Sequence, residues 1–144
     1  MAVRGSFAVA TTMISDDNSS IFAVATLKLS STDALQGEAH ATLLAAHLVA
    51  FSGFGSFLLE GDALLIIFAI NSPSLFSSWT FANYISNIRL IMSYFQSWNT
   101  LKVSQCVNFR AHALPKYATS NHVFCLCPVK MATYPVQTRS LVLA

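Results

Sequence analysis

Apolar positions change their period several times along the chain, and each change marks an element. Phe7 to Ile14 (FAVATTMI) and Ile21 to Leu29 (IFAVATLKL) are rich in β-branched and aromatic residues and lack helical spacing, which predicts two strands. Between them Ser15 to Ser20 is a run of Ser, Asp and Asn, whose side chains bond their own backbone in turns, so the pair is expected to form a β-hairpin. Asp33 then offers an N-cap with Gln36 three residues on, the capping-box spacing. Leu35, Ala39, Leu43, Ala46 and Ala50 follow at helical spacing and are expected to face the core. Gly53 is placed to close this helix in the left-handed conformation.

Phe57 to Glu60 is a short apolar run after the glycines and is expected to be a buried strand. A second helical stretch runs from Ala63 to Ile70 and ends at Asn71-Ser72-Pro73. A third helix is predicted over Trp79 to Phe95, with Ile85, Ile88, Ile91, Met92 and Phe95 on one face. Thr100 to Val107 is expected to be a strand, and Asn108 to Ala118 a last short helix despite Pro115. From Ser120 no period persists, and Lys130 to Ala144 is expected to be a loose tail. The predicted order is β-β-α-β-α-α-β-α, an α/β fold with a mixed sheet flanked by helices.

Composition narrows the class. The 144 residues are 54% hydrophobic and only 10% charged, with a mean hydropathy of +0.56, which excludes a disordered chain. Eight Lys and Arg against six Asp and Glu leave a net charge of +2. Any phosphate contact must come from a few placed groups rather than from a bulk positive field. The most apolar stretch, Leu43 to Ile70, carries Glu60 and Asp62, each costing about 2.5–3.5 kcal/mol at the centre of a membrane span. A small membrane-associated protein is therefore only an alternative. The N-terminal apolar run Phe7–Ala10 is too short for a secretory signal, so an intracellular protein is expected. Cys106, Cys125 and Cys127 are odd in number and suit small hydrophobes; Cys125 and Cys127 with His122 lack the paired knuckles of a zinc site.

Two acids stand where an α/β fold gathers chemistry. Glu38 lies in the first turns of the first long helix, and Asp62 directly follows the carboxyl end of the central apolar strand, where ligands collect in open sheets. On local sequence alone Asp62 reads first as a cap for the helix beginning at Ala63.

Several short motifs, in order, resemble the ribonuclease H type 1 domain of the retroelement-derived, reverse transcriptase-like kind common in plants. They are Gln36-Gly37-Glu38-Ala39-His40-Ala41, Leu59-Glu60-Gly61-Asp62-Ala63, Ala69-Ile70-Asn71 with Trp79 beyond, and Asn108-Phe109-Arg110-Ala111-His112-Ala113-Leu114, over roughly residues 2 to 120. The resemblance implies a ribonuclease H-like domain over 1–120, followed by an irregular tail over 121–144. It implies an ancestral hydrolysis of the RNA strand of RNA–DNA hybrids by two divalent ions about 3.5–4 Å apart. Hard cations such as Mg²⁺ take oxygen ligands. Glu38 corresponds to the family's helix carboxylate and Asp62 to its fourth-strand carboxylate, the expected metal ligands. His112 stands at the fourth catalytic position, where histidine is a weaker ligand or a proton carrier. Asn108 and Arg110 are candidate nucleic-acid contacts.

Two departures follow from the same comparison. Met1 to Gly5 resembles the stretch after the family's first strand, so that strand and its aspartate are expected upstream of Met1. The family sets it between the hairpin and the fourth strand, and its loss would open two edges in the middle of the sheet. Two carboxylates against two dications hold at most one ion well, so the chain is expected to be a poor catalyst or inactive. A non-catalytic nucleic-acid or protein interaction module keeping the fold is the alternative of a different class. Lys28, Lys102 and Lys116 would add weak attraction to a hybrid, and Trp79 and Trp98 are expected in the core.

Overall fold

The computed structural model describes residues 2–4, 7–15, 20–30, 33–72, 74, 79–104, 106, 113, 116, 126–128 and 139–143. In chain order the elements are β1 (Ala2–Arg4), β2 (Phe7–Ser15), β3 (Ile21–Leu29), α1 (Ala34–Ser52), β4 (Ser56–Gly61), α2 (Leu64–Asn71), α3 (Trp79–Met92), β5 (Ser97–Lys102), β6 (Leu126–Pro128) and β7 (Arg139–Leu143). The strands form one mixed sheet in the order β5-β4-β7-β2-β3-β6, with β1 also paired to β2. The hairpin β2–β3 is antiparallel from Ala8↔Leu29 to Ile14↔Ala23, with an irregularity at Ser15; most of its expected turn lies outside the described residues.

Local signals set the helix ends. The Asp33 carboxylate accepts from the Gln36 backbone N–H at 2.7 Å, and Gly53 takes φ 73° at the C-cap, its N–H reaching the Ala50 carbonyl. Both ends are where the sequence puts them. The face of α1 is broader than the expected stripe: Ala39 and Ala46 are buried, but so are Ala41, Ala45, Leu48 and Val49, while Ala50 is exposed. The cause is that α1 packs on β2, β3 and β7 and also meets α3 and α2, so more than one stripe is covered. In the main core Ile14, Leu48, Leu59, Ile66, Ile70 and Ile88 meet, joining hairpin, α1, β4, α2 and α3. Phe95, just beyond α3, packs edge-on against Phe57 at 4.8 Å, a contact worth about 0.5–1.5 kcal/mol.

Three expectations are corrected. Strand β5 begins at Ser97 rather than Thr100 and ends at Lys102; Ser-Trp-Asn lacks an apolar run because β5 is an edge strand with mostly exposed residues. The region after residue 120 is not only an irregular tail: it contributes β6, beside β3, and β7. The middle of the sheet is not left open either. Strand β7 lies between β2 and β4, antiparallel to the first and parallel to the second, in the place where a first strand was expected to be missing. Five residues are too few to show a period, and the partners of RSLVL lie far away in sequence. The predicted helix over 108–118 lies almost wholly outside the described residues. Among the described residues no helix is long and apolar enough to cross a membrane.

Candidate functional site

The directions of the strands decide which side chains share an end of the sheet. Because β7 is parallel to β4 and antiparallel to β2, the carboxyl end of β4 lies beside the start of β2. Leu29, at the end of β3, pairs with Ala8 at that same end. Ala41 of α1 packs there with Ala8, Ala10 and Leu29, so the first turns of α1 cover it. Glu38 therefore sits at the end of the sheet that Asp62 terminates. The topology brings these two expected carboxylates to one end from positions 24 residues apart in sequence.

Each acid is held by its element. Glu38 is half-buried one turn before the buried Thr42, whose hydroxyl donates to the Glu38 carbonyl oxygen at 2.8 Å. This i to i−4 bond satisfies a hydroxyl that would otherwise be closed off from water. Asp62 follows Gly61, whose carbonyl accepts from Val103 N–H at 2.9 Å and so prolongs the β4–β5 ladder. The Asp62 side chain is half-buried, with Oδ1 shielded from solvent. The N-cap position of α2 is held by Ala63, not by Asp62.

A third carboxylate nearby was not singled out by the sequence. Glu60 alternates with Phe57, Leu59 and Gly61, which are buried on the α1 side, so it projects from the opposite face. Burial raises its pKa above the usual carboxylate value. Also unassigned from sequence was His40, two residues after Glu38. Its Nδ1 lies 2.9 Å from the Gln36 carbonyl oxygen and its Nε2 3.1 Å from Tyr84 Oη, so it ties α1 to α3. Asn71 of the third motif is likewise a structural tie, because its Nδ2 donates to Thr100 Oγ1 at 2.7 Å and joins α2 to β5.

Of the other candidates, Asn108, Arg110 and His112 lie outside the described residues. Trp98 is half-buried against the core, as expected, and the Trp79 side chain is not among those described. Lys28 and Lys102 are both exposed at the acid-bearing end, but they project from opposite faces. Lys102 pairs with Gly61 and Lys28 with Val9, and Gly61 belongs to the α1 side while Val9 alternates with Ala8 and Ala10, which face Ala41. Among the described residues no group of three or more His, Cys, Asp or Glu could hold a metal ion. The expected donors placed at this end among the described residues, Glu38 and Asp62, are carboxylates, which offer hard oxygens.

Solved structures share the fold. RNase H1 from the halophilic archaeon Halobacterium salinarum matches with a TM-score of 0.72 and 22% sequence identity, over 83% of this chain and 92% of that one. The N-terminal RNase H domain of a Mycobacterium tuberculosis protein, solved as a fusion with maltose-binding protein, matches with a TM-score of 0.71 and 14% identity, over 82% and 87%. No family model and no curated protein matches the sequence. The chain therefore has an RNase H-like fold, a mixed α/β sheet flanked by helices.

Proposed function

We propose that this chain is a nucleic-acid-binding domain of the ribonuclease H type that engages RNA–DNA hybrids at the end of the sheet carrying Glu38 and Asp62. The observation that carries the reading is the convergence of these two acids at one end of an RNase H-like sheet. The ordered motifs from Gln36 to Leu114 add the retroelement-derived, reverse transcriptase-like subfamily to the proposal. Glu38 and Asp62 would hold a single Mg²⁺, which when bound would neutralise charge where a phosphate approaches. His112 is proposed as a weaker ligand or proton carrier, and Asn108 and Arg110 as phosphate contacts. Two carboxylates give −2 against the +4 of two dications, so hydrolysis is slow or absent and binding is the surviving activity.

The alternative of a different class is an interaction module that keeps the fold without catalysis. A Mg²⁺ titration separates the two. A rise in Tm with Mg²⁺ that Glu38→Gln and Asp62→Asn each abolish supports the metal-assisted hybrid binder. No Mg²⁺ effect, together with equal affinity for hybrid and for duplex DNA, favours the module. Brisk Glu38-dependent cleavage of a hybrid would overturn the expectation of weak catalysis.

A further inference from the structure

Two strands share one edge of β2. Along it β7 pairs through Ser15↔Ser140, Ile14↔Leu141, Met13↔Val142 and Thr12↔Leu143, and β1 through Val9↔Ala2, Ala8↔Val3 and Phe7↔Arg4. Both are antiparallel to β2, so they run in the same direction and follow one another in line. Only Ala10 and Thr11 separate their partners. On the other side β7 is paired to β4 from Phe57↔Arg139 to Glu60↔Val142. Among the described strands, β7 is thus the only main-chain link between β4–β5 and the group β1, β2, β3 and β6.

We propose that β7 and β1 are two halves of one central strand supplied by opposite ends of the chain, and that β7 is the latch that holds the Asp62-bearing half of the sheet to the half covered by Glu38. The register carries this. Val142 stands between Met13 and Glu60, so β7 spans the gap between the strand that Asp62 follows and the strand on which α1 packs. An extended segment paired on both edges gains its hold from main-chain hydrogen bonds, the mode by which a strand is added to a sheet. Without β7 that edge of β4 and the Thr12–Ser15 stretch of β2 are left unpaired, and only packing through α1 and the helices joins the two halves. This latch holds the sheet together whether or not the chain binds hybrids.

The tests use the full chain. In a background with Cys106, Cys125 and Cys127 changed to Ser, the pair Ser15→Cys and Ser140→Cys places two thiols on directly opposed residues, within reach of a disulfide. Mild oxidation is expected to give an intrachain disulfide. A permuted chain in which Ala144 is joined directly to Met1, with new ends between β6 and β7, puts two residues between Leu143 and Ala2. Two residues, Ala10 and Thr11, also separate their partners on β2, so the permutant is expected to fold with a Tm at or above that of the parent. No disulfide, or one formed only between chains, overturns the latch. A permutant melting more than roughly 5 °C below the parent, a loss on the scale of 1 kcal/mol for a small domain, overturns the single-strand reading.

Discussion

The hydroxyl of Tyr84 on α3 lies 3.1 Å from Nε2 of His40 on α1, with the two rings 4.7 Å apart and tilted by 57°. Since Nδ1 faces the Gln36 carbonyl oxygen, that nitrogen carries the proton in the neutral imidazole, leaving Nε2 to accept from the tyrosine. The pair ties α1 to α3 two residues beyond Glu38. Tyr84→Phe keeps the ring contact and removes only the hydroxyl, so urea unfolding should show a loss of about 0.5–1.5 kcal/mol. His40→Ala, which removes both, should cost more.

The ends of α1 give a second pair of expectations. Asp33→Ala removes the carboxylate bonded to Gln36 N–H and should lower stability by about 1 kcal/mol. At Gly53 a Cβ would meet nothing within 4 Å, so Gly53→Ala is opposed only by the backbone at φ 73°, a cost of about 1–2 kcal/mol. Gly53→Asn should recover part of it, because asparagine tolerates the left-handed region. Thermal melts of the three variants check both effects.

Those two ends were legible because each signal and its partner lie within a few residues: Asp33 with Gln36, Gly53 with Ala50. The hairpin was legible for the same reason. Strand β4 was readable as an apolar run, and with it the position of Asp62. What could not be read was non-local. Nothing in Arg139–Leu143 announces that its partners are Thr12–Ser15 and Phe57–Glu60, and five residues are too few to mark a period. The candidate site divides in the same way. Glu38 and Asp62 could be named from residue type and place in the chain, whereas the face of Glu60, the His40–Tyr84 tie and the opposite faces of Lys28 and Lys102 depend on register, which sequence patterns leave open.

Glu60 makes stability depend on pH. Burial raises its pKa above the ordinary value of 4.5, so the folded state holds the proton more tightly than the unfolded chain. Its favourable contribution is complete below the unfolded pKa and is lost as pH rises through the higher folded value. Glu60→Gln removes that loss. The variant should therefore match the parent near pH 4 and become the more stable of the two as pH rises toward 7, a crossing followed by Tm at several pH values. A difference that stayed constant across this range would show that Glu60 does not titrate differently in the fold.

Under the proposed hybrid binding, the two lysines at the acid-bearing end distinguish which face makes the contact. Lys102 shares the face of Gly61, and with it the side that α1 and Glu38 occupy. Lys28 projects from the other side, where its ammonium lies 4.4 Å from the centre of the Phe7 ring, an arrangement that already uses the charge. A phosphate neutralised by one lysine contributes about 0.9 to the slope of log affinity against log salt for a duplex. Lys102→Ala should reduce the slope for a labelled RNA–DNA hybrid by about that amount, and Lys28→Ala should leave it unchanged, as read by fluorescence anisotropy across a salt series. With a net charge of only +2 the parent slope is itself expected to be shallow, so the loss of one contact is a large share of the whole. The reverse result, a slope that responds to Lys28 and not to Lys102, would move the binding surface to the face away from Glu38.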